Sequence, residues 1–573
     1  MRRCSVALLV LLVPASTLAA PATGELDDPI ALPENPFRIA GSTAGRASVI
    51  DAYACDPTLD ESGGELFYRV EVPARGKLTA WLEGDGGGVD VDVHVLSSLE
   101  IEGGVALDCV ARANQIVEPV LDAGTYYVVV DTFEGDAQSG EFILHATFIG
   151  DAWVEHEPYE GVVWRARRFE DVGGGPQIVH ELRLDPTVTQ LVALPSNGCE
   201  TVATIGAAAG AAVGINGGYF NVSTCDPVSL LIHEGELLGT HGSSRSAFGI
   251  DAAGAAHIQI VGAGEDWPDV EEAHGGAPRL VTAGVAHTTE AEYAEESVGG
   301  AGFIGPNPRT GAGIFADGSV SLFTIDGRGA NQAGMSLPAM ADFAKDELGL
   351  ADAMNLDGGG STTMWIAGMT PNGVMNYPSD SSVDEPTGHT GSRAVSGGFF
   401  IFAEPKRFAP VITTSPPAVA DLQAPSLYDA DAYDANPLDA ITFSLSGAPE
   451  GMLIDPDEGV ITWQPVSPYP THVELTLVAS DGKLETTQAI SLDVPGGVEA
   501  TTSVGAGAGG AAVGLGGGGG GESADEAGGC SCEVASGRDR GAWSIAALAA
   551  TLLSRVRRRA RLIAGSERQA RYG

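Results

Sequence analysis

The stretch ADAMNLDGGGSTTMWIAG, residues 351–368, places three consecutive glycines between two short apolar segments. It reads as a strand, a glycine turn and a second strand. Each glycine costs backbone entropy on folding, so the turn needs a reason. Either something approaches the backbone closely or the chain bends where a Cβ would clash, and both reasons mark a site. Upstream, GIFADGSVSLFTIDG (313–327) reads as a hairpin turning at Asp317-Gly318. Between them, SLPAMADFAKDELGL (336–350) spaces Leu337, Met340, Ala341, Ala344 and Leu348 as one helix face, with Ser336 to cap its start and Gly349 to end it. Residues 151–404 therefore mix strands with one clear helix.

The flanks differ. Residues 42–148 carry LFYRVEV, KLTAWLE, VDVDVHVL and TYYVVVDTF, separated by Gly and Asp clusters, which predicts an all-β unit. These segments resemble the bacterial pre-peptidase C-terminal type of β-sandwich, which implies a non-catalytic accessory module. Within it Asp90, Asp92 and His94 share one strand face, read as a solvated outer face in preference to a metal site. Residues 408–495, with APEGM, GVITWQP and ASDG, resemble the Ig-like and cadherin-like repeats of bacterial surface proteins. The expected architecture is multidomain, with β-sandwiches on both sides of the central unit.

The 573 residues include 76 acidic and 30 basic side chains, a formal net charge of −46. Such a field repels phosphate backbones and anionic membranes, so nucleic acid is excluded as a partner. The acids permit calcium, but no loop has an EF-hand pattern, and no metal is assigned. Arg2-Arg3, an apolar run and a small-residue region make residues 1–20 a signal peptide, which implies export machinery as a partner. In an oxidising compartment the local pairs Cys55/Cys109 and Cys199/Cys225 are expected disulfides. Residues 496–529 read as a flexible glycine-rich linker. The tail, 530–573, joins Cys530, a short apolar run and an arginine cluster, and resembles the MYXO-CTERM class of sorting tags. That resemblance implies processing near Cys530. The run Ala542–Leu553 would reach only about 18 Å as a helix, against a hydrocarbon core of about 30 Å, so no stable span is expected.

Four segments of the central unit carry chemistry: GINGGYFN (214–221), GPNPRTGAGI (305–314), FTIDGRG (323–329) and NLDGGGSTTMW (355–365). Together they resemble the phosphodiester glycosidase family, which implies an α+β domain and hydrolysis between a sugar's anomeric carbon and a phosphodiester. The residue types suit that reaction. Asp357 and Asp326 each end an apolar strand before a glycine, which exposes a carboxylate for an oxocarbenium-like transition state. Asp357 is taken as the primary carboxylate and Asp326 as its partner. Arg309 offers a fork for phosphate oxygens, with Arg328 and Arg393 as further cations. Thr310, Ser361, Thr362 and the backbone of Gly358, Gly359 and Gly360 offer donors to the same anion. Asn216 and Asn355 suit sugar hydroxyls, and Tyr219, Phe220 or Trp365 a sugar face, although core packing is the commoner fate of such aromatics. His241 and His389 lie in Gly/Ser-rich loops. The rival readings are a non-catalytic glycan-binding or adhesive surface protein on the same fold and, on the N-terminal module alone, a peptidase-associated protein; no nucleophile elbow or HExxH supports the latter.

Overall fold

The computed structural model describes residues 23–32, 35–84, 88–329, 331–380, 391–412, 414, 416–424, 426–434 and 440–497. Residues 1–20, read above as a signal peptide, the expected linker beyond Gly497, His389, and the tail with Cys530 lie outside the described residues.

The N-terminal module begins with two five-stranded sheets. One is ordered Ile30–Ala31, Leu66–Val72, Gly124–Thr132, Val91–Leu96, Cys109–Ala113, and the other is built around Gly76–Glu83 and Glu141–Ile149. Tyr68, Val70, Leu78, Leu82, Val93, Val130 and Leu144 meet between them. In Leu66–Val72 the alternation is plain, with Arg69 and Glu71 outside. Val91–Leu96 departs from it, because every residue is buried. The solvated outer face expected for Asp92 and His94 is therefore corrected. A small third layer, with Ala52–Tyr53 and Val105–Ala106 among its strands, covers that face with Ile50, Tyr53 and Ala106. The Cys55–Cys109 disulfide ties this layer to the sheet, and Cys199–Cys225 closes a second loop further on.

In the central domain an eight-stranded sheet, a four-stranded sheet and a five-stranded sheet share one core. Leu322, Met354, Ile215, Met364, Phe399 and Phe248 meet there. Strand dominates, and the helices are short: Val202–Ala209, Glu290–Glu295, Ala301–Ile304 and Leu337–Asp346. Leu337–Asp346 starts where Ser336 accepts from the Ala339 amide (3.4 Å). It buries Leu337, Met340, Ala341, Phe343 and Ala344 against Phe323 and Ile325. Those two residues and Val320 and Leu322 point to opposite faces of one strand, so the eight-stranded sheet has apolar cover on both sides. The hairpin Arg309–Ile314/Val320–Ile325 turns at Asp317-Gly318, where the Asp317 carboxylate accepts from the Ser319 amide (2.9 Å).

The stretch quoted first connects two sheets. Asp352–Asn355 pairs with Arg309–Ile314 in the eight-stranded sheet, whereas Met364–Ile366 pairs with Val213–Asn216 in the four-stranded one. The tight turn Gly359–Ser361 lies at the crossing. The C-terminal module packs Phe443, Trp463, Leu475, Leu477, Ile490 and Leu492 between short antiparallel strands. No helix among the described residues is long and apolar enough to cross a membrane.

Candidate active site

The crossing opens into a cleft of about 200 Å³, lined by Tyr219, Gly302, Phe303, Asn307, Arg309, Arg328, Asn355, Asp357, Gly358, Gly359, Gly360 and Arg393. All four sequence segments contribute to its wall, together with Arg393 from further along the chain.

Gly358 is required by space and Gly359 by its backbone conformation, while Gly360 lies against movable side-chain ends. A Cβ on Gly358 would stand 2.7 Å from the Pro308 carbonyl oxygen, and one on Gly360 2.2 Å from Asp380 Oδ1 and 2.4 Å from Arg393 Nη2. Gly359 has φ +63° and would place a Cβ 3.0 Å from Arg328 Nη2. The turn is thus pressed against the groups that surround the cleft.

Asp357 is the single carboxylate among the lining residues. Its Oδ1 accepts from the Gly358 amide (2.9 Å). Burial lifts its pKa to about 6, while the Ser361 hydroxyl, the Gly358 amide and the Arg393 charge pull the other way. Arg328 and Arg393 supply the accessible positive charge. Arg328 is exposed, adopts φ +63° and donates to Asn307 Oδ1 (2.9 Å). A non-glycine residue in that region is an uncommon conformation that clusters at sites. Arg393 forks Asp380 at 2.8 and 3.3 Å.

Other candidates turn out to hold the cleft together. Arg309 is 3% exposed and donates from Nε to the Met335 carbonyl (2.9 Å) and from Nη2 to those of Phe303 (2.7 Å) and Gly305 (2.6 Å). Burial pulls its pKa down to about 10, which leaves it a cation at neutral pH. Its guanidinium staples loops, so the phosphate fork expected of it is corrected to a positioning role. Asp326 is fully buried and does not line the cleft. Its Oδ1 accepts from Asn376 Nδ2 (3.1 Å) and the Tyr377 amide (3.0 Å), and Asn376 also donates to the Thr362 carbonyl (3.1 Å). The second carboxylate thus braces the glycine turn from behind.

Asn216 does the same from another side. Its Nδ2 donates to the Asp357 carbonyl (2.8 Å), and its Oδ1 accepts from the Thr310 hydroxyl (2.8 Å) and the Thr363 amide (3.0 Å). One buried amide therefore joins three of the four segments, and Thr310 is spent on it. Thr362 and Ser361 are buried outside the lining. Asn355 reaches the cleft, with Nδ2 donating to the Tyr219 hydroxyl (3.0 Å) and the Ala277 carbonyl (2.8 Å). Tyr219 lines the cleft; Phe220 and Trp365 do not. They pack in an apolar cluster with Val202 and Phe400, and the Trp365 indole donates to the Asn372 carbonyl (3.1 Å). His241 is buried against Gly275, and burial pulls its pKa down to about 4. Sequence reasoning passed over Phe303, Asn307 and Asp380. The Asn-Pro-Arg turn was a usable signal for Asn307; Phe303 and Asp380 carried none.

Residues 209–402 match the model of the phosphodiester glycosidase family, and residues 409–495 that of the Ig domain family. The chain is 29% identical over 194 residues to the mouse N-acetylglucosamine-1-phosphodiester alpha-N-acetylglucosaminidase, a match covering 32% of this chain and 36% of that protein. The chain thus spans about a third of the length of that relative. The zebrafish enzyme of the same name, solved as a catalytic domain auto-inhibited by its pro-peptide, is 21% identical at a TM-score of 0.35, covering 45% of this chain and 88% of that one. A hypothetical protein from Synechocystis is 13% identical at a TM-score of 0.38, covering 65% and 81%. The segment that builds the cleft is similar to the phosphodiester glycosidases, and the segment that follows it is similar to Ig domains.

Proposed function

We propose that the cleft hydrolyses the bond between a sugar's anomeric carbon and a phosphodiester. The observation that carries this reading is the convergence of one carboxylate, Asp357, with two arginines, Arg328 and Arg393, on a glycine turn. A phosphodiester is an anion; Arg328 neutralises it, and Arg393, forked to Asp380, adds a second guanidinium edge. Departure as a phosphomonoester needs little help from a general acid, which fits a cleft with one lining carboxylate. As the anomeric C–O bond breaks, positive charge develops on the sugar, and ionised Asp357 stabilises it. Water's oxygen ends on the anomeric carbon, and its proton balances the phosphomonoester.

The mouse relative's name points to N-acetylglucosamine-1-phosphodiesters as substrate class. The signal-peptide pattern and two disulfides support export, delivery to the cell surface or outer membrane, and envelope or extracellular polysaccharide as the natural source. The flanking β modules serve as spacers or polymer-binding units.

Arg328 is the cleft cation whose removal disturbs the fold least, since it is exposed and, among the described residues, donates to one side chain, Asn307. Arg328→Ala is expected to lower kcat/KM roughly tenfold to a hundredfold, with an unchanged melting temperature. Steady-state kinetics on a synthetic sugar-1-phosphodiester measures this. Unaltered kinetics in both Arg328→Ala and Arg393→Ala would remove the phosphate from this end of the cleft.

A further inference from the structure

We infer that Glu61, Asp92 and His94 of the N-terminal module form a binding site for a divalent transition ion of the zinc type. Each is at most 1% exposed. Among the described residues they are the one group of three His, Cys, Asp or Glu side chains whose donor atoms lie within 4.8 Å of one another.

The second observation is the state of the donors. Neither ring nitrogen of His94 has a hydrogen-bond partner, and Glu61 Oε2 and Asp92 Oδ1 accept no hydrogen bond. Buried polar atoms are almost always satisfied, so four unsatisfied donor atoms on three adjoining side chains call for a ligand. The imidazole is held in place by apolar means: Tyr53 stacks on it with centroids 3.5 Å apart and planes 10° apart. The Tyr53 hydroxyl is fixed in turn by Asp131 (2.7 Å).

Arg112 already marks where positive charge belongs. It faces His94 across the strand pair, and its Nη2 lies 2.9 Å from Glu61 Oε1 and 2.5 Å from Asp92 Oδ2. His94 Nε2 is 3.9 Å from the same Glu61 oxygen. One nitrogen of Arg112 thus bridges the two carboxylates, while its Nε has no partner. Its side chain is 16% exposed, so it has a way out toward solvent. Glu61 and Asp92 hydrogen-bond each other beside the one guanidinium; a divalent ion on the Nη2 position would displace that contact, balance both carboxylates and give the imidazole a partner.

The donor set selects the ion. Calcium seeks six to eight oxygens, whereas imidazole with two carboxylates suits zinc and its neighbours. The site is sealed under the third layer, so its effect is to fasten the Glu61 loop to the strand Val91–Leu96.

The test uses the full chain, chelator-treated and then titrated with zinc alone or cobalt alone in a calcium-containing buffer that occupies surface acids. The expected result is saturation at one equivalent, visible cobalt d–d absorption that zinc abolishes, and a melting temperature several degrees higher with zinc. His94→Phe keeps the stack on Tyr53 and is expected to lose all three responses. Glu61→Gln keeps the shape of the pocket and is expected to weaken binding at least about tenfold. Absence of cobalt absorption in the wild type, or titrations of either variant that match it, would overturn the assignment.

Discussion

Asp357→Asn is expected to lower hydrolysis of a sugar-1-phosphodiester by roughly 10²–10⁴-fold without loss of stability at neutral pH. The substitution keeps shape and removes charge. The carboxylate's pKa, about 6 against an ordinary 3.8, fixes two pH dependences. Ionised Asp357 is the active form, so the rate should fall on the acid side with an apparent pKa near 6. For stability the sign is opposite. The unfolded chain ionises first, so burying Asp357 adds a penalty that grows from about pH 4 to pH 6 and is complete above that. Asparagine carries no such penalty. The variant should therefore match the wild type below pH 4 and be at least as stable above pH 6. Paired activity and thermal-melt series across this range check both limbs. A variant that is inactive and also destabilised at pH 7 would mean that Asp357 serves the fold.

Arg309→Met is expected to do the reverse, destabilising the domain by roughly 2–5 kcal/mol because the Phe303, Gly305 and Met335 carbonyls lose their buried charged donor. Arg309→Lys should rescue little, since an ammonium offers a point charge in place of a planar fork. Phe303 and Asn307 line the cleft from the loop that Arg309 holds, so activity should fall with stability. Urea unfolding beside kinetics separates the cases. Full stability with a large rise in KM alone would return Arg309 to the phosphate.

Much of this site was legible because its parts are local. Glycine runs, the Asp317-Gly318 hairpin and the helix face of Leu337–Asp346 are short-range patterns that the chain obeys. What was not legible depends on distant partners. Asp326 and Asp357 have the same sequence context, a strand end before glycine. They differ because Asn376, 50 residues further on, takes up Asp326 behind the turn. Asn216 and Thr310 carry the polar chemistry of a binding site, yet they satisfy each other across 94 residues. Trp365 lies between Met364 and Ile366, which face one core, and packs into another with Phe400; a strand buried on both faces leaves no side for substrate. The same error of layers applied to Asp92 and His94, where strand alternation is real but a third layer covers the face assumed to be wet.

The most direct test is the identity of the bond that breaks. The full-length protein would be incubated with an α-N-acetylglucosamine-1-phosphodiester in water enriched in heavy oxygen, with both products analysed by mass spectrometry without delay. A glycosidase cleft built on Asp357 predicts equal release of free sugar and phosphomonoester, with the heavy oxygen on the sugar's anomeric hydroxyl and none on the phosphate. Label on the phosphate, or sugar that binds and is never released from its phosphodiester, would contradict it.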